Sequence, residues 1–137
     1  MKFLIKTAII SILAIACTSA KKITPTQPKT ADWVTWEKPF VELGQVKKGD
    51  KRTFLYDFTN TTSNDVQVEI IDACDCTTVE FPRGIIKPGE KGRFDIIFNS
   101  SEKDESETIE IRVIWKNKDA AGNPRFDVLK YHYDLLK

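Results

Sequence analysis

Residues 107–116 read ETIEIRVIWK, and this stretch decides the fold. Ile109, Ile111, Val113 and Trp115 occupy every second position, and Thr108, Glu110 and Arg112 lie between them. Side chains two apart share a face in an extended chain, whereas a helix brings together residues three and four apart. The alternation therefore predicts a β-strand with one face in a core.

The same period extends in both directions. Downstream, the polar, glycine-containing turn over 117–124 leads to a strand over 126–135, where Leu129, Tyr131, Tyr133 and Leu135 stay in phase. Upstream, Phe94, Ile96 and Phe98 follow the turn Lys87-Pro88-Gly89-Glu90, in which proline presets φ and glycine permits a positive one. A short strand over 77–81 ends at Pro82. Val66, Val68 and Ile70 are expected on one face of a strand over 66–71, and Phe54, Tyr56 and Phe58 on one face of a strand over 52–60. A first strand over 40–43 is closed by Gly44 and the turn Lys47-Lys48-Gly49-Asp50. No stretch has the period of an amphipathic helix, which argues against a βαβ architecture. About seven strands in about 100 residues predict an all-β chain, a single immunoglobulin-like sandwich over 36–137.

The amino terminus points to a compartment. Lys2 and Lys6 flank the start of the apolar run 7–16, which ends in Ala16 directly before Cys17. About ten apolar residues rise about 15 Å as a helix, half of a bilayer core of about 30 Å, so the run reads as a cleaved signal rather than a span. Ala14-Ile15-Ala16-Cys17 resembles the lipobox of bacterial lipoproteins. The resemblance implies a signal peptide over 1–16 and a diacylglyceryl group on the Cys17 sulfur, which holds the protein to the membrane. An ordinary secretory signal with a chance cysteine is the alternative. Residues 17–35 then form the lipidated cysteine and a tether, polar and interrupted by Pro25 and Pro28. Thr18, rather than Asp, after the cysteine resembles lipoproteins sent on to the outer membrane, and the periplasmic face is expected.

Composition excludes more than it assigns. The chain carries 21 Lys+Arg against 20 Asp+Glu, and removal of Lys2 and Lys6 with the signal turns the formal charge slightly negative. A nucleic-acid-binding domain would show a basic patch, and none is evident. With one histidine, His132, in no motif, a Ser-His or Cys-His nucleophile is not expected. His132 lies among aromatic and apolar residues of the last strand and reads as structural. Glu105 with Glu107, and Glu90 with Asp95, read as solvated strand faces and turns. No enzyme activity, metal or cofactor is expected. Asn60-Thr61-Thr62 and Asn99-Ser100-Ser101 match a glycosylation sequon, but turn chemistry accounts for both asparagines. Trp115 is expected in the core, Trp36 capping the sandwich edge, and Trp33 exposed near the tether.

Cys74-Asp75-Cys76 holds the remaining chemical potential. In an extended strand the two Cα atoms would sit about 6.5–7 Å apart, the long limit for a disulfide, unless Asp75 bends the backbone. Three readings stay open: a local disulfide or two buried thiols that help fill the core, a thiol–disulfide redox pair, or two thiolates holding Cu(I).

Four segments, taken in order, resemble one family. Val46-Lys47-Lys48-Gly49-Asp50 precedes a strand that closes with Phe58-Thr59-Asn60. Ala73-Cys74-Asp75-Cys76-Thr77 follows, and then Ile86-Lys87-Pro88-Gly89-Glu90 ahead of Phe94-Asp95-Ile96. The set is similar to the bacterial domain-of-unknown-function family 1573, related to hydin-like or ASH-type immunoglobulin-like domains of envelope proteins. The family usually carries Gly between the cysteines, where this chain has Asp75. The resemblance implies a fold and an envelope location but no reaction. The expected function is a non-catalytic binding or assembly module that meets another envelope protein, and the competing expectation is a thiol-redox or Cu(I)-handling protein using Cys74 and Cys76.

Overall fold

The computed structural model of the protein describes residues 33–137. The expected signal peptide over 1–16, the lipidated Cys17 and the tether as far as residue 32 lie outside the described residues. Eight strands follow one another: β1 Thr35–Trp36, β2 Phe40–Lys47, β3 Lys51–Thr59, β4 Val68–Asp72, β5 Thr77–Glu80, β6 Lys91–Asn99, β7 Glu107–Lys118 and β8 Pro124–Leu136. They form two four-stranded sheets, ordered β1-β3-β6-β5 and β2-β8-β7-β4. All neighbours pair antiparallel except β2 and β8, which run parallel. This is the immunoglobulin-like sandwich that the alternation predicts, with a two-residue β1 as an additional strand.

Two strands depart from simple alternation. β2 does not stop at Gly44 but passes through a bulge between Glu42 and Gln45, where Gly44 takes φ +66°, a value costly for any residue with a Cβ. β4 has a register shift between Val68 and Ile70. Val66 and Val68 are buried, but the shift turns Ile70 outward, 55% exposed, and leaves Ile71 facing the core. Ile70 is thus not in the inward set expected for this strand, because one extra residue reverses the phase of everything after it.

The core is aromatic. Tyr56, Phe58, Phe94 and Phe98 of one sheet and Trp115, Tyr131 and Tyr133 of the other are fully buried. Phe58 meets Trp115 edge-on across the sandwich, with ring centroids 5.5 Å apart. Gly92 pairs with Phe58 on the neighbouring strand, and a Cβ at Gly92 would overlap the Phe58 ring. The phenol of Tyr56 crosses the core to donate to the Lys130 carbonyl at 2.7 Å. Trp115 takes its expected place, and Trp36 caps the edge against Phe58 and Phe94. Trp33 is not left exposed. Its indole N–H and that of Trp115 both donate to Asp127 Oδ2, at 3.0 and 2.8 Å, and its ring meets Trp115 edge-on. The packed domain therefore takes in Trp33, Val34 and Thr35, which the sequence reading placed on the tether, because Asp127 offers one partly buried acceptor to two indoles.

Two buried polar side chains latch the turns. Asn60 Nδ2 donates to the carbonyls of Asn64 and Ile86, and its Oδ1 accepts from the Thr62 amide and hydroxyl. Its backbone also pairs with Glu90 and Gly89. The strand-closing Asn60 thereby clamps the Lys87-Pro88-Gly89-Glu90 turn. Ser100 does the same for the turn at 47–50, its hydroxyl donating toward the carbonyls of Lys47 and Asp50 at 2.8 and 3.0 Å. Asn99 Oδ1 accepts from Ser101, as Asn60 does from Thr62, so both asparagines do turn chemistry.

Asn60→Ala removes the four hydrogen bonds of a fully buried side chain at once, and denaturant unfolding is expected to show a loss of about 2–4 kcal/mol at unchanged m-value. Gly92→Ala forces the Phe58 ring off its rotamer and is expected to cost about 2 kcal/mol or more by the same measurement. Glycine-to-alanine in a strand otherwise favours the strand, so a neutral or stabilising result would show that the ring relaxes freely.

Candidate functional site

The strand order leaves β4 and β5 as the edges of opposite sheets on one side of the sandwich, and the chain passes from one to the other through residues 73–76. This open side is closed at both ends. At one end Val66 and Ile86 form an isolated bridge, with N···O distances of 2.9 and 2.8 Å. At the other end Cys74 and Cys76 form a disulfide. Between them lies a cleft of about 370 Å³ with Glu69, Ile71, Val79 and Phe81 in its walls and Arg83 stacked over the Phe81 ring.

The disulfide is accommodated by a turn. The Thr77 amide donates to the Cys74 carbonyl at 2.9 Å, and this turn brings the two Cα atoms to 5.1 Å. The extended spacing considered from sequence does not apply, because Asp75 and Cys76 are the central residues of the turn. Thr77 Oγ1 lies 3.2 Å from Cys74 Sγ and 3.5 Å from Cys76 Sγ, and 2.6 Å from the Tyr131 hydroxyl. Burial pushes the Tyr131 phenol up to about 12, so it stays protonated at neutral pH. Cys74 borders the cleft on one side and a second cleft beside Asp72, Glu110 and Arg112 on the other. In this bonded state neither sulfur is a thiolate, so neither can serve as a nucleophile or as a Cu(I) ligand.

Next to the edge strand β4 runs an apolar row. Ile70 pairs with Ile114, and Ile114 with Phe126, so three large side chains cross β4, β7 and β8 in line on the outer face of the sheet. Phe126 is 62% exposed, and with Ile114, Pro124 and Arg112 it borders a shallow cleft of about 520 Å³. Sequence reasoning missed this row. Ile114 and Phe126 sit in the outward phase of their strands and were visible as such, but Ile70 joins them only through the bulge.

The remaining candidates lie apart from the groove. Glu107 is ion-paired with Lys103, and Glu90 accepts from the Lys87 amide in its turn. His132 is not surrounded by the apolar residues that flank it in sequence. Tyr131 and Tyr133 point into the core, while the imidazole faces outward, hydrogen-bonded through Nδ1 to Thr108 Oγ1 at 3.0 Å.

Comparison with known proteins agrees with the fold. The chain is similar in structure to Vibrio cholerae VesB protease, with a TM-score of 0.60 at 13% identity over 75% of this chain and 32% of that one. It is also similar to a Porphyromonas gingivalis W83 protein of unknown function, with a TM-score of 0.60 at 18% identity over 75% of this chain and 46% of the other. The chain therefore spans a third to a half of the length of these two proteins. The ASH/PapD-like domain 7 of human CEP192 aligns with a TM-score of 0.58 at 8% identity over 88% of this chain and 96% of that domain. No curated protein matches the chain in sequence. The model of the family described as protein of unknown function (DUF1573) matches residues 34–127, a span that holds the Asn60 clamp, the disulfide turn and the Lys87-Pro88-Gly89-Glu90 turn, and the chain belongs to that family.

Proposed function

We propose that this chain is an envelope lipoprotein whose sandwich acts as a non-catalytic protein-binding module. In this reading the signal peptide is removed before Cys17, the lipid on Cys17 holds the protein to the outer membrane facing the periplasm, and the residues up to 32 form the spacer. Two or three acyl chains suffice for stable anchoring.

The observation that carries the binding reading is the apolar row Ile70–Ile114–Phe126 running out to an edge strand. Edge strands present unpaired backbone donors and acceptors, and apolar neighbours make them templates for pairing. An extended segment of another envelope protein adds to β4, its backbone completing the ladder and its alternate side chains packing beside Ile70. β4 is only five residues long, which limits the added strand and favours reversible association. The module needs no cofactor, and nothing in the reading calls for nucleic acid.

A photo-crosslinking residue in place of Ile70, in the producing cell, is expected to give a discrete protein adduct. The same residue in place of Asp95, outward on the other sheet, is expected to give none, and Phe126→Asp is expected to diminish the adduct from position 70. No adduct from position 70, or an equal one from position 95, would sink the reading. Replacing both Cys74 and Cys76 by Ser is expected to cost about 1.5 kcal/mol of stability and to leave the adduct in place. Loss of the adduct from the folded double variant would instead move a thiol-redox or Cu(I) role to the front.

A further inference from the structure

We infer that Glu42, His132 and Asp134 form a binding site for a divalent first-row cation of the zinc type. The three donor atoms lie within 4.8 Å of one another on the outer face of the β2-β8-β7-β4 sheet. A tetrahedral cation with bonds of about 2.1 Å holds its ligands about 3.4 Å apart, so small rotations of two exposed carboxylates close the set. Imidazole nitrogen with carboxylate oxygen is a donor set suited to zinc and its neighbours rather than to calcium or magnesium.

The backbone builds this arrangement. His132 and Asp134 are two apart on β8 and share a face, and Glu42 lies directly opposite His132 across the parallel β2–β8 pair. Past Glu42 the β2 bulge turns the chain, and the Gly44 amide donates to Glu42 Oε1 at 3.4 Å. Glu42 takes part in no ion pair among the described residues. Thr108 supplies a second and separate observation. Its Oγ1 sits 3.0 Å from His132 Nδ1, and Nε2 points the other way, 3.5 Å from Asp134 Oδ1. When Thr108 accepts the Nδ1 proton, the lone pair is left on Nε2, the ring nitrogen beside Asp134. Metal-binding histidines are held in this manner through their other nitrogen. Three protein donors leave a fourth position open to solvent. The site lies about 20 Å along β8 from Phe126 and does not depend on the binding surface proposed above.

His132 is the chain's only histidine, so its imidazole gives a single signal. The test is zinc titration of the full, histidine-labelled chain at about pH 7.5, where a free imidazole is neutral, followed by NMR. One equivalent of Zn²⁺ is expected to move the His132 signal and to hold it out of its acid titration. Glu42→Gln and Asp134→Asn are each expected to weaken binding by about tenfold or more, and Thr108→Val by about tenfold, with the fold intact. An imidazole that ignores excess Zn²⁺ and titrates freely would overturn the site, leaving a His132–Asp134 ion pair. A zinc shift that persists undiminished in both carboxylate variants would overturn it equally, since the histidine would then be acting alone.

Discussion

The contact between the Phe58 ring and the Trp115 indole joins the two sheets at the end of the core where the chain enters the domain, and Trp33 and Trp36 are arranged around it. Phe58 occupies its position because its cross-strand partner is Gly92 and offers no side chain to displace it. Trp115 is held by the hydrogen bond to Asp127, and the same carboxylate oxygen draws in Trp33, so the entry to the domain is tied to the centre of the core. Trp36 covers the remaining side. An aromatic core of this kind contributes by buried area and by ring geometry together, and packing at near-crystalline density leaves little tolerance for an added methyl.

Turn chemistry completes the frame. The segments that mark the family lie far apart in the chain, yet Asn60 and the turn at 87–90 are one hydrogen-bonded unit, and the turn at 47–50 is latched by Ser100 in a similar way. A buried asparagine with all its hydrogen-bonding capacity in use fixes two loops at once. These latches lie on the sheet that contains β3 and β6, which leaves the other sheet free to carry exposed features on its outer face.

That outer face carries both candidate sites. Near one edge an apolar row ends at β4, beside a groove that ends at the disulfide turn of Cys74 and Cys76. Toward the other edge, the parallel β2–β8 pair sets a carboxylate across from the single imidazole. With the described interior filled by buried aromatic side chains, both candidate sites fall on the rim and outer surface.

The sequence by itself determined the class of fold, most strand positions and the core set from Phe94 to Tyr133. It did so because strand periodicity is local: residues i and i+2 share a face whatever the rest of the chain does. The sharp turns at 47–50 and 87–90 were legible for the same reason. The tertiary structure decided what depends on partners far away. The bulge in β4 reversed the phase at Ile70 and created the apolar row, and a bulge is set by pairing with β7 rather than by composition. Trp33 was drawn into the domain by Asp127, ninety-four positions along the chain. The turn at Asp75 brought the cysteines within bonding range. Glu42 and His132 became neighbours only through parallel pairing, a long-range register that leaves no mark on the local alternation of either strand.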